Sequence, residues 1–367
     1  VVNAPRRTLL LAGAAVPLGW LGACAALDEA ALSDGEAARQ AAEARRGPGG
    51  PGLLTPWQVI RGGWRRDAGT LPAPGSPAPP VAGAGLAGTG ARLNLLLPIG
   101  VAARDDVVLI VDGGLRSVLR GLRTQDSLTP WLAHPGPTSG LGASLALTAD
   151  LGVYLALPQL GEVQEFDVRG RQVRRLRDEQ RAAQPLAVAV GEDRSRLFVA
   201  DGQSGRVAVF APSGGVIEVW GSGGATASLQ SAVALAVGPD GLHVVDRAAQ
   251  QVVVFDGNGR VAAAYGEGSL ARPRAVAVDH HGRAFVCDEA DQAISVFWRG
   301  ERVARYPEAG RPAPFRSIEA LAIDGNQLYV ADAAGARVHV LLIAPPSLSS
   351  GPAPDPVPPS ALAPSGS

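Results

Sequence analysis

The chain has 367 residues, with 33 basic side chains against 34 acidic ones and a net charge of −1. That balance excludes a globally basic nucleic-acid binder, since holding a phosphate backbone needs a cationic excess. The length accommodates one large domain with appendages, and the absence of Lys and Met points to coding bias more than to electrostatic design.

The first segment carries Arg6 and Arg7, an apolar run from Leu9 to Leu21, and then Leu21-Gly22-Ala23-Cys24. The run falls short of the ~20 residues that span a bilayer, so residues 1–23 read as a signal peptide. The stretch ending at Cys24 resembles a bacterial lipobox. The resemblance implies a lipidated Cys24 as the mature N-terminus, and Ala25 after it implies sorting to the outer membrane, facing the periplasm. An ordinary signal peptide with a chance Cys is the bland alternative. The paired Arg also resemble a twin-arginine export signal. Lipidation consumes Cys24 and leaves Cys287, in the apolar run AFVCD, as a small buried hydrophobe without a disulfide partner.

Residues 24–56 form the lipidated Cys and a stalk or linker rich in Ala, Glu and Arg, which Gly47-Pro48-Gly49-Gly50-Pro51-Gly52 interrupts. The domain proper is predicted over 57–343, with a Pro/Gly-rich loop at 65–91, and a disordered Pro/Ser-rich tail occupies 344–367. Ahead of that loop lies one isolated strand signal, Trp57 to Arg61.

From the apolar stretch near Ile99 to Ala103 onward the sequence repeats itself. LFVADGQSGRVAVF (Leu197 to Phe210) reads as strand, turn, strand, and its design returns at Leu242 to Phe255, Ala284 to Phe297 and Leu328 to Leu341. The residue ending the second strand of each repeat is Asp112, Leu157, Asp201, Asp246, Asp288 or Asp332, at spacings of 45, 44, 45, 42 and 44. Such spacing matches the four-stranded blade of a β-propeller, ~40–45 residues. Nine positions on stand Phe166, Phe210, Phe255, Phe297 and Leu341. Gly121 takes that place in the first repeat, which makes Asp112 the weakest member. Fourth strands close on the aromatics Trp131, Trp220, Tyr265 and Tyr306, expected to pack between wedge-shaped blades. The sixth repeat runs into Pro345-Pro346 without a fourth strand. The strand at Trp57 is predicted to fill that place and close the ring, so that no edge is left open. The fold class is all-β: a six-bladed propeller closed by its N-terminal strand.

The segment Pro185 to Gly221 resembles an NHL repeat, clearly over residues 185–343 and with divergence in the first two blades. The resemblance implies a six-bladed propeller. It implies little about ligand, because one fold hosts many functions.

The recurring Asp sit where strands enter turns and are expected to bond turn amides and pair locally, Asp201 with Arg206 and Asp332 with Arg337. The histidines His134, His243, His280, His281 and His339 share no register, so no three converge as zinc ligands must. First strands such as LAVAV and VALAV bring almost no acids or bases to the channel, Glu319 excepted. The Arg series from Arg169 to Arg181 is diluted by Asp178 and Glu179 and reads as a solvated rim.

What remains is the face built from second-to-third and fourth-to-first strand loops. It displays Gln203, Arg247, Gln250, Glu289 and Asp291 from one loop set and Gln230, Arg272, Arg274, Arg316 and Glu319 from the other. The expectation is an envelope-anchored lipoprotein whose propeller is a non-enzymatic scaffold for an envelope protein or glycan. No catalytic residue, metal, cofactor or nucleic-acid partner is assigned. The rivals are a metal-dependent hydrolase or lyase working in the channel and an extracytoplasmic small-ligand sensor.

Overall fold

The second and third strands of each repeat are continuous apolar runs, which is the pattern of strands buried on both faces. In a computed structural model they form the middle of six four-stranded antiparallel sheets arranged as a ring. The described residues are 52–65, 92–123, 128–133, 144–191, 194–223 and 228–345. Cys24, the signal and stalk segments before residue 52, most of the 65–91 loop, His134 and the tail from 346 lie outside them.

Strand β1 (Leu54–Ile60) comes first and is followed by a small pair, β2 (Gly62–Arg65) and β3 (Arg92–Asn94). Blade one is β4 (Pro98–Arg104), β5 (Val107–Asp112), β6 (Ser117–Leu122) and β7 (Leu128–Ala133), and blade two is β8 (Leu145–Leu147), β9 (Val153–Leu157), β10 (Glu162–Phe166) and β11 (Gln172–Leu176). Blade three is β12 (Pro185–Val190), β13 (Leu197–Asp201), β14 (Arg206–Phe210) and β15 (Val216–Trp220). Blade four follows as β16 (Ala232–Gly238), β17 (Gly241–Asp246), β18 (Gln251–Phe255) and β19 (Val261–Tyr265). Blade five is β20 (Pro273–Val278), β21 (Ala284–Asp288), β22 (Ala293–Trp298) and β23 (Glu301–Tyr306). Blade six has only β24 (Ile318–Asp324), β25 (Gln327–Asp332) and β26 (Arg337–Ile343) from its own repeat, and β1 supplies its outermost strand.

The ring therefore closes through β1, which pairs antiparallel with β26 from Leu54↔Ile343 to Ile60↔Val338. The closing strand begins at Leu54, three residues before the expected Trp57. Pro56 made that extension hard to read, because Pro is excluded from central strands, yet an outermost strand tolerates it. A bulge between Pro56 and Gln58 leaves Trp57 64% exposed, while Leu53 and Leu54 are buried and anchor the strand.

Buried apolar side chains fall into six clusters, one in each wedge between neighbouring blades. Fourth-strand aromatics cross those wedges to the next blade: Trp131 to Phe166 at 6.4 Å, Trp220 to Phe255 at 5.7 Å and Tyr265 to Phe297 at 4.9 Å between ring centroids. No blade owns a core of its own, so each depends on both neighbours. Blade one is fully formed despite Gly121, which pairs with Val108 and Leu128 in the expected register.

Candidate functional site

Two belts of residues organise the end of the ring where second-to-third and fourth-to-first strand loops meet. The first belt is the recurring Asp. Asp112 accepts the amides of Leu96, Leu97 and Leu115, and Asp246 those of Gln230, Ser231 and Ala249. Asp201 and Asp288 bind the equivalent amides of their own blades, Gln184 with Ser204 and Ala271 with Arg272 and Ala290. Each carboxylate thus clamps its turn to the loop that delivers the first strand of the same blade. Blade two, with Leu157, has no such side chain, and its first strand is three residues long where the others have six or seven.

Asp332 is the most heavily bonded clamp. It takes the amides of Arg316, Ser317 and Gly335, the Arg337 guanidinium at 3.2 Å and His339 Nε2 at 3.4 Å. Burial acts to raise its carboxyl, but these donors outweigh burial and hold it well below the usual carboxylate range. The expected Arg337 pair is formed. The expected pair of Asp201 with Arg206 is not among the described contacts; Asp201 is occupied by amides and Arg206 is exposed.

The same turns end on a left-handed residue in every blade: Arg116, Gly161, Gly205, Gln250, Gln292 and Ala336, with φ between 51° and 71°. Only two are Gly, so the ring imposes a conformation that costs other residues ~1–2 kcal/mol. At Gly205 the constraint is also steric, since a Cβ would lie 2.5 Å from the Gln230 carbonyl oxygen.

The second belt is made by β-bulges. In five blades the register slips at the second residue of the first strand, which leaves Ile99, Leu186, Val233, Arg274 and Glu319 without a direct cross-strand partner. Bulges re-aim side chains, and all five line a central cavity of about 330 Å³. Ser144, Gln184, Ser231 and Arg247 add polar groups to its wall. Its charged groups come from blades four to six, whereas blades one to three contribute the apolar Ile99, Leu145 and Leu186 with the uncharged Ser144 and Gln184.

The structure brings four of the ten candidate face residues into two inter-blade ion pairs. Arg247 Nη2 donates to Glu289 Oε2 between blades four and five, and Arg274 Nη2 to Glu319 Oε2 between blades five and six. Glu319 also accepts from Ser317 Oγ at 3.0 Å. The Arg274 Nε is buried and meets no hydrogen-bonding partner. The other six are exposed: Gln203, Gln230, Arg272 and Arg316 on the loops, Gln250 donating to the Ala271 carbonyl, and Asp291 paired with Arg305. This corrects the expectation of a channel with almost no acids or bases. Arg274 is aimed inward by its bulge, and its partner lies 45 residues on in the next blade, a relation invisible within one repeat.

The four described histidines stand away from this cavity. Buried His243 is held between Tyr265 Oη and Asp240 Oδ1, both at 2.8 Å. His339 packs edge-on to Phe315 beside Asp332, and His280 and His281 are exposed in the turn between β20 and β21. Among the described residues no three His, Cys, Asp or Glu side chains gather around one point suited to a metal. Cys287 is completely buried, which pushes its thiol up to about 12 and makes it unreactive. On the rim, Arg174 and Arg177 pair with the buried Glu165 and Glu162, and Arg171 with Asp167.

Fold and cavity define a six-bladed β-propeller whose cavity draws its charged groups from blades four to six. Among solved structures the chain is similar to virginiamycin B lyase from Staphylococcus aureus, with a TM-score of 0.51 and 12% identity over 68% of this chain and 95% of that one. It is similar also to a catalytically inactive histidine-to-alanine form of that lyase with quinupristin, with a TM-score of 0.51 and 14% identity over 71% and 83%. At these identities the likeness shows the fold alone. No protein-family model and no curated protein matches the sequence.

Proposed function

We propose that this chain is an exported lipoprotein, anchored through Cys24 to the cell envelope, whose NHL-like propeller is a non-enzymatic module that binds an envelope protein or glycan. The observation that carries the binding role is the clamping of one face. Carboxylates in four blades, Asp201, Asp246, Asp288 and Asp332, fix the loops that present Gln203, Gln230, Gln250, Arg272, Asp291 and Arg316, so these polar groups are preorganised and lose little entropy on association. The lipobox-like stretch at Cys24 supports the anchor. A photo-crosslinking residue placed at Gln203 or Arg316 in envelope preparations is expected to capture a partner that the same residue at Asn258, in a turn between third and fourth strands, does not. Equal capture at both positions contradicts the assignment of the face. Cys24→Ala is expected to release the protein from membrane fractions, and full retention contradicts the anchor.

A further inference from the structure

Beyond this binding face, we infer that the central cavity is a binding site for a small organic carboxylate with an apolar body. The inference rests on the bulge belt. Three of its five residues are the hydrocarbons Ile99, Leu186 and Val233, and the other two are Arg274 and Glu319. The cavity thus offers hydrocarbon wall for an apolar group beside charged groups for a polar head, and about 330 Å³ lies at the lower end of small-molecule cavities, ~300–1,000 Å³.

The charge of the head follows from counting donors. A guanidinium has five N–H groups. Arg247 gives Nη2 to Glu289 and Arg274 gives Nη2 to Glu319, so each guanidinium commits one of its five N–H groups to a carboxylate, and the buried Arg274 Nε, although without a partner, is not open to a ligand. Among the described residues Glu319 is the only carboxylate lining the cavity, and it is already held by Arg274 and Ser317 Oγ. The lining thus sets two guanidiniums against one carboxylate, with Glu289, the partner of Arg247, outside it. An anionic acceptor completes it, and a planar carboxylate matches guanidinium geometry. A cationic head group would have to displace Arg274 from Glu319.

Calorimetric titration of the purified full chain with 3-phenylpropanoate, its neutral amide and 3-phenylpropylammonium tests this. The acid is expected to bind at one site per chain, about tenfold or more tightly than the amide, with no saturation by the ammonium. Arg247→Gln, and the pair Arg274→Gln with Glu319→Gln, which removes both charges together and strands neither, are each expected to weaken the acid about tenfold. Their unfolding midpoints, measured in parallel, establish that the variants are folded. The inference is overturned if the folded wild type does not saturate with the acid below about 10 mM, if acid and amide bind alike, if the ammonium binds better, or if folded variants bind like wild type.

Discussion

In five blades the clamp Asp pairs across the sheet with the residue just before the bulge, yet the clamp belt and the bulge belt obey opposite rules. At the clamp, five blades use the same residue for the same task, and each Asp accepts backbone amides of its own blade, Asp332 taking Arg337 and His339 as well. At the bulge the backbone slips in the same way each time, but the side chains are Ile, Leu, Val, Arg and Glu. Constant identity marks residues that build the ring, and constant geometry with changing identity marks the residues that line the cavity. A recurring carboxylate ring that invites a metal or catalytic reading is, in its contacts, a set of turn clamps.

The sharpest way to break the building half of this comparison is to open the ring. Deleting residues 53–60 removes the outermost strand of blade six and the buried Leu53 and Leu54, and exposes the edge of β26. Loss of the single cooperative transition in urea unfolding followed by circular dichroism is expected; an unchanged transition removes β1 from the account.

A smaller effect comes from Asp332. Asp332→Ala strands three amides and is expected to cost about 3 kcal/mol in urea unfolding at pH 7. Because its folded pKa is depressed, Asp332 stabilises the protein at pH values above the unfolded value, ~3.9, and that stabilisation is lost as the pH falls below it toward the folded value. The stability gap between wild type and Asp332→Ala should accordingly narrow between about pH 4 and pH 2.

Gly205→Ala comes next, at about 2 kcal/mol from its left-handed φ of 71° and the close Gln230 carbonyl. Ala336→Gly, at the same turn position in blade six, should not destabilise by more than about 0.5 kcal/mol. The smallest effect belongs to the bulge belt, where removing Arg274 and Glu319 charges together should change stability by less than about 1 kcal/mol.

Much of this architecture was readable without coordinates, because blade period and strand register are written locally. The Asp spacing, the Phe nine residues on and the missing sixth fourth strand were enough to place every blade and its closing strand. What stayed hidden depends on contacts between repeats or on backbone slips. Pro56 masked the start of β1, no residue marks a bulge in LAVAV or VALAV, and the Arg247–Glu289 and Arg274–Glu319 pairs join residues 42 and 45 apart. The pairing of β2 with β3 also gave no signal, since the stretch between them reads only as a Pro/Gly-rich loop. The candidate face was located as a whole, but which of its charges turn into the cavity was set by the bulges.

Blade four carries both belts in unmixed form, Asp246 at the clamp and Val233 at the bulge, and so offers the most direct measurement. Urea unfolding of Asp246→Ala and Val233→Gln, made separately in the full chain, should show a loss of about 3 kcal/mol for the first, which strands three amides. The second, whose side chain is half-buried at the cavity wall, should lose no more than about 1 kcal/mol. Equal losses, or a larger loss at Val233, would contradict the division of this face into residues that build and residues that bind.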